Sequence, residues 1–125
     1  MATFTKITGS GSTDGRLVKV AATATPGTTL HTGSATTTTY DEIWIEAYNS
    51  HTSTVDLTIE FGGVTDPDDL VRISLQANSA GSYTGPIRVI EGWPIKGNAT
   101  PLVVRAFASV ANKVVVNIFT NRIAA

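Results

Sequence analysis

Cysteine is absent from the 125 residues, charged side chains make up only 15%, and no long apolar run interrupts the chain. Without cysteine there is no disulfide framework, no thiol nucleophile and no cysteine-held zinc or iron–sulfur centre. Ten acidic residues balance nine basic ones with no basic run, so the electrostatic footprint of a nucleic-acid-binding domain is missing. No stretch approaches the roughly 18 consecutive apolar residues of a membrane helix, and no membrane partner is expected. The first fifteen residues, MATFTKITGSGSTDG, show no apolar h-region, so synthesis in the cytoplasm without a signal peptide is expected. Glycine fingerprints for phosphate loops and the metalloprotease pattern of paired histidines are also missing.

What the chain has in quantity is hydroxyl: 20 threonines and 9 serines, beside 11 glycines. Threonine is stiff at its branched β-carbon, which disfavours helix and suits a pleated, half-buried surface. With so few charges there is no material for the polar face of amphipathic helices. The expectation is an all-β chain. Its length suits one domain, able to bury roughly two-thirds of its unfolded surface without metal or disulfide staples.

Residues 1–15 are rich in Gly, Ser and Thr around Gly9-Ser10-Gly11-Ser12 and read as a flexible arm, with Phe4 and Ile7 as its large apolar anchors. Residues 16–125 read as a single β-sandwich domain. Leu17 to Ala21 starts a first strand, Thr28 to Thr32 a second, and Ile43 to Tyr48 a third. Val55, Leu57, Ile59 and Phe61 alternate with Asp56, Thr58 and Glu60, which predicts a strand with one dry face. Val71, Ile73, Leu75 and Ala77 repeat the pattern. Pro86 to Ile90 reads as an edge strand, since proline cannot donate to a central ladder. Gly92-Trp93-Pro94 reads as a turn whose tryptophan plugs the end of the sandwich. Residues 102–109 and 113–121 read as a C-terminal hairpin about Val110-Ala111-Asn112. About eight antiparallel strands at this spacing predict a sandwich or jelly roll. The runs Leu102-Val103-Val104 and Val114-Val115-Val116 break the alternation. Such strands are expected to be covered on both faces, either by the chain's own N-terminal arm or by another subunit, with Val114, Val116, Ile118 or Phe119 at the subunit contact according to which face turns outward.

No catalytic, cofactor-binding or metal-binding constellation emerges. His31 lies in a Thr-rich strand and His51 in an Asn-Ser-His-Thr-Ser turn. An enzyme would require one of them to meet a carboxylate in a pocket, and no serine stands in a nucleophile-elbow pattern. Asp66, Asp68 and Asp69 are weak cation ligands, their Asp-Pro context being ordinary turn chemistry. Asp41-Glu42 reads as the solvated start of a strand. Tyr40, Trp44, Tyr48, Tyr83 and Trp93 could stack on sugar rings, Trp44 and Tyr48 sharing a face.

The segments Asp41 to Asn49, Val55 to Gly63 and Pro86 to Ile123 resemble the small β-sandwich virion proteins of tailed bacteriophages, the capsid decoration or cement proteins among them. Within the last segment, Ile95-Lys96-Gly97 before Leu102 to Ala106, then Asn112 to Asn117, look like that group's closing strands. The resemblance spans residues 28–123 and rests on strand rhythm, an Asn-Ser turn, a Gly-Gly ending and the closing strands. It implies a non-enzymatic homotrimer at the capsid surface of the virion, made in the host cytoplasm and clamping the major capsid protein, with the N-terminal arm and its Phe4 and Ile7 reaching to neighbours. The alternative is a carbohydrate- or receptor-binding module of a phage tail or spike, for which Trp44, Tyr48 and Tyr83 would form an exposed platform.

Overall fold

A computed structural model describes residues 2–124; Met1 and Ala125, the outer ends of the expected arm and domain, lie outside the described residues. Among the described residues there are nine strands and no helix: β1 (Thr3–Thr8), β2 (Val18–Lys19), β3 (Thr28–Thr32), β4 (Thr39–Asn49), β5 (Val55–Phe61), β6 (Leu70–Leu75), β7 (Ile87–Lys96), β8 (Val103–Ala108) and β9 (Val114–Ala124). No helix is long and apolar enough to cross a membrane.

The wiring is nested. β5 pairs β6, β4 pairs β7, β3 pairs β8, and β1 and β2 both pair β9, all antiparallel. Two further pairings, β4 with β9 and β5 with β8, roll this long ribbon into two sheets. One sheet runs β1-β9-β4-β7, with β2 also on β9, and the other β3-β8-β5-β6. That is jelly-roll connectivity. The dry faces meet in one core, where Ile43, Ile45, Leu57, Ile59, Ile90 and Val104 are fully buried. The period-2 segment from Val55 to Phe61 is β5, with Val55, Leu57 and Ile59 inward as its alternation requires, but of the residues expected on a wet face only Asp56 is exposed, Thr58 and Glu60 being buried.

Four expectations need correction. The segment read as a flexible arm is a strand and a packed crossing. β9 runs to Ala124, and its free edge offers unpaired N–H and C=O groups that Thr3–Thr8 satisfy. Low apolar content says nothing against backbone pairing of this kind. The glycines after β1 serve close approach rather than flexibility. A Cβ on Gly9 would come within 2.5 Å of Ile118 Cγ2, and one on Gly11 within 2.2 Å of the Thr29 carbonyl oxygen. Secondly, residues 102–121 do not form a hairpin. β8 and β9 belong to opposite sheets, and the Val110-Ala111-Asn112 turn crosses between them. Thirdly, Gly92-Trp93-Pro94 lies inside β7. Proline is tolerated there because β7 is an edge strand, and Trp93 sits edge-on to Phe61 of the other sheet at 5.6 Å.

The fourth correction concerns the proposed subunit contact. Val114, Val116 and Ile118 point into the protein's own core, Val114 and Val116 completely buried, so none can meet a neighbour. Their alternation partners Val115 and Phe119 are only half-buried and face outward.

Candidate functional site

The outer face of the five-stranded sheet is the most organised surface of the molecule. Directly paired residues of an antiparallel ladder share a face, so the β4–β9 register builds rungs: Tyr40 with Ile123, Glu42 with Asn121, Trp44 with Phe119, Glu46 with Asn117, Tyr48 with Val115. Apolar and Glu–Asn rungs alternate along the whole face. The polar rungs are closed by side-chain bonds, Asn117 Nδ2 donating to Glu46 Oε1 at 3.3 Å and Asn121 Nδ2 to Glu42 Oε1 at 3.5 Å. β1 widens the face: Phe4 pairs Ile123 and Lys6 pairs Asn121. Lys6 Nζ lies 4.6 Å from the Phe119 ring centroid.

Trp44 forms the centre of this face. Its ring is parallel to Phe119 with centroids 6.0 Å apart, and the Arg88 guanidinium lies over it at 5.8 Å. Gly92 is in the left-handed region (φ 72°), and a Cβ there would come within 2.9 Å of the indole. The indole N–H is enclosed with no acceptor among the described residues. Trp44 is therefore a packed element of the face rather than an open platform.

Two ends of the face differ. At one, Phe4 (71% exposed), Ile123 and Tyr40 make an apolar rung across three strands. At the other, about 340 Å³ of groove is lined by Leu17, Glu46, Tyr48, Pro86, Val115 and Asn117. Roughly 27 Å separates Tyr40 from Tyr48 along β4, at the usual rise per strand residue.

Phe4 and Ile7, expected to act together, do not share a surface. They are three residues apart on one strand and face opposite ways; Phe4 is exposed, while Ile7 is half-buried opposite Thr120. Tyr83, 69% exposed in the loop before β7, does not join the wall of the Tyr48 groove.

His31 does meet a carboxylate. Its Nε2 lies 2.8 Å from Asp41 Oδ2, both side chains 1% exposed. The Ser10 backbone N–H donates to its Nδ1 at 3.0 Å, which assigns the ring proton to Nε2. Arg122 grips the same carboxylate with two bonds, Nε to Oδ1 at 2.7 Å and Nη2 to Oδ2 at 2.8 Å. Both imidazole nitrogens are thus engaged, and the group braces the Gly9–Gly11 crossing against β3 and β4. Asp41 is buried, not the solvated strand start the sequence suggested. Burial pushes its pKa up, but the Arg122 fork and then the His31 bond outweigh it and hold the carboxyl below its ordinary value. His51 sits in the turn after β4, its backbone N–H capped by Asn49 Oδ1.

Asp66, Asp68 and Asp69 do not converge. Asp66 pairs Arg72 at 3.2 Å on the open surface, a bond that lowers its pKa, and Asp69 Oδ2 accepts the Thr65 backbone N–H. Among the described residues, no three His, Asp or Glu side chains gather where they could hold a metal ion.

Sequence reasoning missed Glu46, Asn117 and Leu17, which look like ordinary wet-face or loop residues until the β4–β9 register joins them. Compared with known proteins, the chain matches no family model, no curated protein and no solved structure.

Proposed function

We propose that this protein is a non-enzymatic virion structural protein of the capsid-decoration type. It binds the assembled head of a tailed bacteriophage as a homotrimer, with the major capsid protein as its partner and the capsid surface as its location. The observation that carries this reading is the Phe4–Ile123–Tyr40 rung. It is an apolar strip spanning three strands at one end of a rigid sheet, with Phe4 and Tyr40 left exposed. Apolar side chains grouped and exposed at one end of a sheet support a docking role for that end. The resemblance of residues 28–123 to decoration proteins supports the choice of partner.

The mechanism is mass action. A protein that binds only the assembled shell stabilises that shell against its dissociated parts, and three linked contacts let each be weak. Phe4 serves this from within β1 rather than from a loose arm.

Light scattering over a range of concentrations tests the assembly. The expected mass is that of three 13.1 kDa chains, and Phe4→Ser combined with Tyr40→Asp should leave that mass and the circular dichroism unchanged while abolishing co-sedimentation with assembled heads. A wild-type monomer at every concentration overturns the trimeric reading.

A further inference from the structure

We infer that the groove at the Tyr48 end of the outer face is a saccharide-binding site, taking a neutral pyranose ring. Its six lining residues come from two adjacent rungs and their continuations. Leu17 precedes β2, Pro86 precedes β7, Glu46 and Tyr48 are on β4, and Val115 and Asn117 on β9. The volume of about 340 Å³ lies within the usual range for small-molecule sites, roughly 300–1,000 Å³, which combine apolar walls with a few convergent polar groups.

The chemistry narrows the ligand. Tyr48, Pro86, Val115 and Leu17 offer an aromatic ring and apolar walls, suited to the C–H face of a sugar. Leu17 is 60% exposed, a cost that a ligand resting on it would remove. Glu46 supplies acceptors only, whereas the Asn117 amide both donates and accepts. Hydroxyl groups, which also do both, match that pair. The Asn117–Glu46 bond is long at 3.3 Å, so a hydroxyl can insert between the two or bridge them. A purely apolar ligand would strip water from the pair without replacing it. An anion would face Glu46, the one charged lining group; Lys19 and Arg88 stand on the flanking strands, Arg88 turned over Trp44.

This site lies at the far end of the sheet from the Phe4 strip and stands independently of the decoration reading.

The test is a titration of ¹⁵N-labelled protein with the methyl pyranosides of glucose, galactose, mannose and N-acetylglucosamine, followed by amide chemical shifts. At least one glycoside should give saturable shifts centred on Leu17, Glu46, Tyr48, Val115 and Asn117. Tyr48→Ala and Glu46→Gln should each weaken binding about tenfold or more, with spectra that stay dispersed. Should Tyr48→Ala unfold, Leu17→Asp, at an exposed rim position, must show the same loss. No saturable shift with any glycoside overturns the inference, as do shifts insensitive to these substitutions. Arginine methyl ester is the control. Shifts of equal strength with it would identify a cation site instead.

Discussion

Asp41 ties three segments together: its carboxylate meets β3 through His31 and β9 through Arg122, and the same histidine accepts from the Ser10 N–H of the Gly9–Gly11 crossing. Removing Arg122 leaves a buried charge with one partner fewer. Arg122→Ala should lower stability by about 2–3 kcal/mol, the scale of hydrogen bonds to a charged group, read as a shift of the urea midpoint. The carboxyl's pKa is depressed in the folded state. Its stabilising contribution is therefore whole above the unfolded value of about 3.9 and drains away as pH falls through the lower folded value. A urea series between neutrality and strong acid should show this loss in the wild type and a flatter acid limb in Asp41→Asn. An equal acid slope in the two proteins would show that other carboxylates carry it.

Among the elements, β1 is the least secured. Five of its six residues are exposed, it pairs on one edge only, and the Lys6–Phe119 contact is a surface interaction. Local opening should cost far less here than for β4, which is paired on both sides. By hydrogen exchange, bonded amides of Thr3–Thr8 should exchange roughly tenfold or more faster than those of Ile43–Ala47; equal protection would mean that β1 opens only with the whole domain. The contrast also explains what the sequence could and could not disclose. β3 and β5 are legible in position, since the Pro26-Gly27 turn precedes the one and alternation defines the other. The wet face expected of β5 is not, because Thr58 and Glu60 are buried and Glu60 accepts from the Thr25 hydroxyl and the Gly27 N–H. β1 is not legible, because its stability comes from a free edge of β9 more than a hundred residues away. The Tyr48 groove is hidden for the same reason: Glu46 and Asn117 become neighbours only through the β4–β9 register, and nothing local to either marks it. The apolar run Val114-Val115-Val116 announced a strand but not its surroundings: Val114 and Val116 face the core, while Val115 is half-buried on the outer face.

At the scale of the molecule, the nested ribbon places the proposed docking strip and the proposed groove on one sheet. The strip uses β1, β9 and β4, while the groove uses β4, β9 and the approaches to β2 and β7. Both depend on β9, the strand shared by every rung of the face. The same arrangement has a mechanical side. Thr3 is paired with Ala124 in an antiparallel ladder, so tension applied between these two residues falls on a single rung at a time, as in a zipper. Single-molecule stretching should show β1 peeling away at low force, freeing about 20 Å of chain. The load then reaches Gly9 and Gly11, wedged against Ile118 and the Thr29 carbonyl, where the opening should stall until the sandwich itself gives way. A chain held by its two ends would thus yield a short, reversible slack before it resists, a spring at the margin of an otherwise stiff body.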